Sequence, residues 1–383
     1  MSDTFTLQFP TKIIFGDGCL DRIGPEVGEY GGRALLVMGK RAMRETGAFD
    51  RAAGLLDDAQ VEVVVFDGVE SEPSLERVGE GISRARERAC DVVIGLGGGS
   101  VVDAAKAIAA LVLNDGSVEE YHQGKKIERP GLPFIAVPTT AGTGAEVTKN
   151  GVLTDPQRKI KRSIRSHHML AKEAIVDPEL TATVPPEITA ITGMDAFTQA
   201  VEAYVSKAAS PVTDAMAYRA VQLIFEHLPK AVSKGQDPRA RNALALGSLL
   251  SGLAFSNAGL GAAHGLSHPI GALYSIPHGT ACTILLPHVM RFNLPARVEK
   301  YSLLADAMGQ EGDLIEEKAQ KAVEAIEGLI EQVGIPKTFR ELGRFDLDVR
   351  KVISDSRGNS MSLNPREPSD EDLRSILTAA MGG

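Results

Sequence analysis

Four short apolar runs mark the first half of the chain, at 33–38, 61–66, 91–96 and 133–137. Gly, Pro or Asp bounds each, and all but the second are nearly free of polar alternation. Strands covered on both faces have that composition, so the runs predict a parallel sheet. Amphipathic stretches at 50–59 and 74–89 predict helices between them, in right-handed βαβ units. After Asp177-Pro178 the pattern changes. Pro185 and Pro186 precede long helical periodicities at 187–206, 212–225, 239–255 and 313–333, with no strand among them. The expectation is an α/β domain over 1–180 and an all-α domain over 181–383. From Asp346 onward, where Asn364-Pro365-Arg366-Glu367-Pro368 occurs, the pattern predicts a loop and one short last helix.

Residues 242–290 contain no Asp, Glu, Lys or Arg. About 20 apolar residues suffice to cross a bilayer, so a membrane span is the first alternative. The run also carries glycines, serines, Asn257, X-Pro breaks expected at His268 and Pro277, and four of the eight histidines. Hydrocarbon does not tolerate that many unpaired polar groups, which favours the buried interior of a large helical domain. The 383-residue length fits two domains, and the net charge of −9 argues against a nucleic-acid surface. Three scattered cysteines and no basic-then-apolar leader at 1–10 lead to the expectation of a cytoplasmic protein with reduced thiols.

Two turns look built for a ligand. In the segment 91–106, Gly97-Gly98-Gly99-Ser100 joins the third strand to a helix expected over 101–113, with Ser100 as its N-cap. Three adjacent glycines let backbone N–H groups approach a phosphate at the positive end of that helix. One or two would suffice for a plain turn. Counting from Gly95, Ser100 stands where G-x-G-x-x-G would have its last glycine, so the turn departs from the usual dinucleotide fingerprint. The second turn, 138–148, follows the fourth strand and holds Thr139, Thr140, Thr143 and Thr148 beside two glycines. Hydroxyls there can bond ribose or phosphate oxygens, or simply their own backbone.

Asp195 and Gln199 are four apart, as are His264 and His268, and Pro277-His278-Gly279 adds a third histidine. Helical i, i+4 spacing places two donors on one face, and imidazole with carboxylate suits Zn²⁺ or Fe²⁺. A lone histidine is more often a hydrogen-bonded core residue, which is how His288, His167 and His168 are read. Three in one charge-free stretch favour a metal.

Together these motifs resemble the iron-containing (group III) alcohol dehydrogenase family. The matching strings are Gly97-Gly-Gly-Ser-x-x-Asp103, Pro138-Thr-Thr-x-Gly-Thr-Gly144, Gly193-Met-Asp195, and His264-Gly-x-x-His-Pro-x-Gly271 with Pro277-His-Gly279. The resemblance implies a dehydroquinate synthase-like fold: an α/β dinucleotide-binding domain with a parallel sheet, then an all-α domain. The cofactor is expected in the cleft between them, with a divalent metal beneath the nicotinamide. Cofactor contacts are expected from Gly97, Gly98, Gly99, Ser100, Asp103, Thr139, Thr140, Thr143, Thr148 and Lys161. The family's metal ligands, an Asp and three His, map to Asp195, Gln199, His264 and His278. Gln199 departs from that set, because an amide oxygen is a poorer donor than imidazole. The family has an Asp after the first strand of the nucleotide domain that disfavours a 2′-phosphate. Here Gly39, followed by Lys40 and Arg41, removes that repulsion, so NADP is expected somewhat ahead of NAD.

The expected enzyme is an NAD(P)-dependent alcohol dehydrogenase or aldehyde reductase, with His268, near the substrate, as proton relay, and with His268 or His278 stabilising the alkoxide if the metal is absent. A homodimer or larger homo-oligomer is expected, without nucleic-acid or membrane partners. The rivals are a maleylacetate reductase-like enzyme without metal, a dehydroquinate synthase-like lyase, and a non-catalytic cofactor-binding protein.

Overall fold

The computed structural model describes residues 4–9, 11–158, 160–344 and 346–383. It divides into two compact units, one of residues 9–140 and 144–183, the other of 4–8, 141–143 and 184–383.

The first unit holds strands β1 (Lys12–Phe15), β2 (Arg33–Gly39), β3 (Glu62–Val69), β4 (Val92–Gly97), β5 (Phe134–Pro138), β6 (Asn150–Asp155), β7 (Ile160–Arg165) and β8 (Glu173–Val176). Six of them form a parallel sheet in the order β1-β8-β5-β4-β2-β3, and β6 and β7 pair as an antiparallel hairpin. Helices of ten or more residues are here α1 (Ala48–Asp58), α2 (Leu75–Glu87) and α3 (Gly99–Leu111). Alternate residues of each central strand enter opposite cores. Leu35, Val37, Val93 and Ala136 pack with α2 and α3, while Leu36, Met38, Ile94 and Val137 pack with α1. Burial on both faces is why these strands read as unbroken apolar runs, each large side chain contributing about 1.5–3 kcal/mol. Four strands escape that pattern. β1 and β8 are four residues long, and β8 begins with Glu173, which is buried and bonded by Lys12 and Tyr30. In the hairpin, β6 alternates half-exposed and buried positions, while β7 buries only Ile164 and carries Lys161, Arg162 and Arg165.

The second unit is helical: α4 (Pro186–Val205), α5 (Pro211–Ser233), α6 (Pro238–Ala258), α7 (Ala262–Tyr274), α8 (His278–Asn293), α9 (Val298–Ala307), α10 (Ile315–Gln332) and α11 (Asp370–Ala380). Helices α4, α5, α6 and α10 share one apolar core, and α7, α8 and α11 enclose another. The expected break at His268 is absent. Pro269 sits inside α7, where a proline forfeits one helical bond, and its burial in the packed helix holds it there. The break at Pro277 is present: Ser275 takes φ 55° and Pro277 precedes the first residue of α8. A short helix, Val349–Asp355, occupies part of the expected C-terminal loop, because the Asp348 side chain accepts from Lys351 N and caps it. Among the described residues no single helix is long and apolar enough to cross a membrane; α6 and α7 pass such a test only as a pair bent by 100°.

Candidate active site

In the first unit, strand register aligns the candidate nucleotide residues. Met38 pairs with Leu96 and Gly97 with Pro138, so β2, β4 and β5 end together. Gly39-Lys40, the glycine turn and Thr139-Thr140 therefore lie along the carboxyl edge of the sheet, where open α/β sheets bind ligands. A Cβ on Gly97 would stand 2.8 Å from the Val101 side chain, so the tight strand-to-helix passage needs glycine there. The helix starts earlier than its sequence suggested. α3 begins at Gly99 with Gly98 as N-cap, and Ser100 lies within the first turn, donating its hydroxyl to Ser71 O. Glycines allow helical entry inside the turn itself, which leaves first-turn N–H groups at the sheet edge.

The remaining predicted contacts separate into two groups. Thr139 is buried, its N–H donating to Gly97 O (3.0 Å), and Thr140 lies against Gly98. Lys40 and Arg41 are exposed. Asp103, Thr148 and Lys161 are engaged within the unit: Asp103 Oδ2 accepts from Val152 N (2.9 Å), and Thr148 Oγ1 accepts from Lys106 Nζ (3.0 Å). Lys161 Nζ donates to Glu72 (2.8 Å). These contacts tie the hairpin and the threonine loop to their surroundings. Thr143 is exposed and groups with the helical unit. Sequence reasoning missed Lys106, a fully buried lysine whose Nζ also donates to Ala145 O and Asn150 O, both at 2.7 Å. Burial pulls its pKa down against the counter-pull of Asp103 and Glu146. Its sequence signal was a single charge after Asp103 in an otherwise apolar helix.

In the helical unit, α4, α7 and α8 bring the acid, amide and histidines together. Asp195 and Gln199 share one face of α4, and Gln199 Nε2 donates to Asp195 Oδ2 (3.0 Å). Across from them, His264 Nε2 on α7 stands 3.5 Å from Asp195 Oδ1, and His278 Nε2, the first residue of α8, stands 3.8 Å from the same oxygen. Gly279 permits that approach, since a Cβ there would lie 2.5 Å from Ile191 O. His268 is exposed and its ring stacks on that of His278, centroids 5.2 Å apart.

Two further residues complete the cluster, and neither was found from sequence. Glu202, one turn beyond Gln199 on α4, takes the His264 Nδ1–H (2.7 Å) and the N–H groups of Gly261 (2.9 Å) and Ala263 (2.7 Å). Its signal was a carboxylate seven residues after Asp195, on the same helical face. Cys282, one turn after His278, is fully buried with Sγ 3.6 Å from His278 Nε2. Burial pushes the Asp195 carboxyl up, but the nearby His264 and His278 imidazoles outweigh it and hold the group below its ordinary range. Burial likewise opposes protonation of His264 and His278, yet the anionic neighbours leave both above the ordinary histidine value.

The family described as iron-containing alcohol dehydrogenase matches residues 10–178, and its C-terminal part, described as the Fe-containing alcohol dehydrogenase family, matches 189–381. The chain belongs to the iron-containing alcohol dehydrogenase family. It is 39% identical to a 1,3-propanediol dehydrogenase of Klebsiella pneumoniae, with 98% of each chain covered. Identity to an NAD-dependent methanol dehydrogenase of Bacillus methanolicus is 35%, covering 97% of this chain and 98% of that one. A crystal structure of a 1,3-propanediol oxidoreductase superposes with a TM-score of 0.95 at 39% identity, covering 98% of this chain and all of the other. The protein is accordingly an alcohol dehydrogenase, an oxidoreductase acting on CH–OH groups with NAD(P), in a family that uses a divalent metal.

The helical cluster fits such a metal. Asp195 Oδ1, Gln199 Oε1 and His264 Nε2 are buried without a hydrogen-bond partner, although their residues are only 4%, 4% and 1% exposed. Buried polar atoms are almost always paired, and a cation among them would satisfy such atoms together. Glu202 holds a proton of His264 on Nδ1, so that loss of the other proton turns the Nε2 lone pair to the cluster, the usual carboxylate–histidine–metal relation.

Proposed function

We propose that the protein interconverts small alcohols and aldehydes by metal-assisted hydride transfer with a nicotinamide cofactor, NADP(H) being preferred. The observation that carries the metal-assisted reading is the presence of unpartnered buried atoms, Asp195 Oδ1 and His264 Nε2 in one donor cluster with His278, and Gln199 Oε1 on the same face of α4 as Asp195. Asp195, His264 and His278 would hold the ion, which would polarise the substrate oxygen and lower the alcohol's pKa. His268, exposed and stacked on His278, accepts the alcohol proton and passes it to solvent. Gly98, Gly99 and Ser100 receive the pyrophosphate at the start of α3, with Gly97 providing the close turn and Thr139 and Thr140 flanking it. Asp103, Thr148 and Lys161 act by holding that loop and hairpin in place. The small alcohols named for the relatives above make short diols and primary alcohols the first substrates to assay.

The cofactor preference rests on Gly39. A Cβ there would meet only Val69 O at 3.8 Å and Val101 Cγ2 at 4.0 Å, ordinary contacts. A side chain would fit, so glycine at this position removes chemistry rather than bulk, and exposed Lys40 and Arg41 remain to meet a 2′-phosphate. We read the enzyme further as cytoplasmic, in keeping with its three free cysteines, and as a homo-oligomer, which light scattering on the purified protein tests.

The decisive experiment is a panel of aldehydes with NADPH or NADH, run on chelator-stripped enzyme with and without added Zn²⁺ or Fe²⁺. Activity that returns only with metal, and higher kcat/KM for NADPH, is the expected result. Gln199, a neutral amide in place of a histidine, favours a second reading, reduction without metal with His268 and His278 stabilising the alkoxide. Full activity in chelator would establish that reading instead.

A further inference from the structure

Cys282 is the one member of the donor cluster that the family's ligand set does not supply. Its Sγ lies, with a carboxylate oxygen of Asp195 and ring nitrogens of His264 and His278, in a set of ligand atoms all within 4.8 Å of one another. We propose that the Cys282 thiolate, and not the Gln199 amide, is the fourth protein ligand of the metal, and that the resulting carboxylate, two-imidazole and thiolate set selects Zn²⁺ over Fe²⁺. This rests on the metal-assisted reading above.

The four ligand atoms lie close enough together to share one ion that keeps a position open for the substrate oxygen. Oxygen, nitrogen and sulfur ligands at about 2.0–2.3 Å from zinc stand roughly 3.3–3.7 Å from one another. The measured separations are 3.5 Å from His264 Nε2 to Asp195 Oδ1, 3.8 Å from His278 Nε2 to Asp195 Oδ1, and 3.6 Å from Cys282 Sγ to His278 Nε2. The remaining separations among the four ligand atoms lie within 4.8 Å. Gln199 spends its amide nitrogen on Asp195 Oδ2, which orients the carboxylate so that Oδ1 faces the histidines. It is a positioning residue in this arrangement: its oxygen is buried and unpartnered but, being neutral, is the weakest donor of the set. The thiolate supplies what the missing imidazole does not: a soft, anionic donor that, with Asp195, balances a dication. Binding displaces the thiol proton to solvent, and no oxidant or reductant is involved. His278 and Cys282 are four apart at the start of α8, so one helix turn delivers both ligands. Cys19 and Cys90, the other two thiols, belong to the other unit.

Cobalt substitution reads the ligand directly. Metal-stripped full-length protein is loaded with Co²⁺ under reducing conditions, and its absorption is recorded beside an elemental determination of bound cobalt. The expected result is one cobalt per chain with a thiolate-to-cobalt charge-transfer band in the near ultraviolet. The band is absent in Cys282→Ser and unchanged in Cys90→Ser. Competition with a chromogenic chelator should show Cys282→Ser losing at least about tenfold in Zn²⁺ affinity, with a smaller loss for Fe²⁺. Bound cobalt without the charge-transfer band, or a band that survives in Cys282→Ser, overturns the ligand assignment and leaves the metal-assisted reading standing. No bound cobalt in the unaltered protein overturns both. The spectrum of the unaltered protein decides the assignment even where a variant fails to fold.

Discussion

Glu202→Gln tests whether the site depends on a carboxylate that never touches the metal. In the native site Oε2 accepts from both Gly261 N and His264 Nδ1, and Oε1 accepts from Ala263 N, all three donors being buried. Glutamine has the same shape but only one accepting atom. With its oxygen at the Oε2 position, the NH₂ group faces the Ala263 N–H, donor against donor. Rotated the other way, the NH₂ group faces both Gly261 N–H and His264 Nδ1. The second arrangement is tolerable only if His264 moves its proton to Nε2, which removes the lone pair turned toward Asp195. Either arrangement leaves at least one buried donor unsatisfied, at about 1–3 kcal/mol. Outer-shell changes of this kind lower metal affinity by roughly 10–100-fold. Zn²⁺ affinity by chelator competition should therefore fall into that range, with a lowered thermal midpoint in both metal-free and loaded protein. Aldehyde-reductase activity should return when metal is raised in proportion. Unchanged Zn²⁺ affinity in a folded Glu202→Gln protein would refute the reasoning, since it would mean that His264 needs no carboxylate to present Nε2.

Three further outcomes are expected. Lys106→Met removes a fully buried ammonium that serves Ala145 O, Asn150 O and Thr148 and stands 3.5 Å from Asp103; breaking such a set costs about 3–5 kcal/mol, read in urea unfolding of the first unit's transition. A change under about 1 kcal/mol would show that the hairpin is held by other contacts. Gly39→Asp should reverse the cofactor preference, raising kcat/KM for NADH relative to NADPH, and an unaltered ratio would place the discrimination elsewhere. Metal affinity should rise with pH, because His264 and His278 hold their protons above the ordinary histidine value near 6.5 and must release them to bind. Zn²⁺ titrations between about pH 6 and about pH 8 should thus show progressively tighter binding, and a flat profile would contradict protonated imidazoles in the metal-free site.

What the sequence disclosed, and what it hid, follows from the range over which each signal acts. Strands β2, β4 and β5 were legible because burial on both faces leaves a local trace, an unbroken apolar run between turn residues. β8 was not legible, because Glu173 at its start looks like a surface residue until Lys12 and Tyr30 are brought beside it from the far end of the unit. The same division holds in the site. Asp195 and His264 stood out by residue type and i, i+4 spacing, and His278 as a further histidine in the charge-free stretch, and the fold brings their ligand atoms within 4.8 Å of one another. Glu202 and Cys282 were invisible for opposite reasons. A glutamate in a helix is ordinarily a solvated charge, and only the packing of α7 against α4 makes this one the acceptor for three buried donors. A lone cysteine in an apolar helix is ordinarily a small core residue, and only its place one turn beyond His278, against the other donors, gives its sulfur a partner to bind. Gln199 completes the contrast. By sequence it was a defective ligand, a histidine position filled by an amide. In the fold it donates to Asp195 Oδ2 and so directs the other oxygen at the histidines, which makes the substitution of an amide for an imidazole compatible with a complete site, provided a donor arrives from α8.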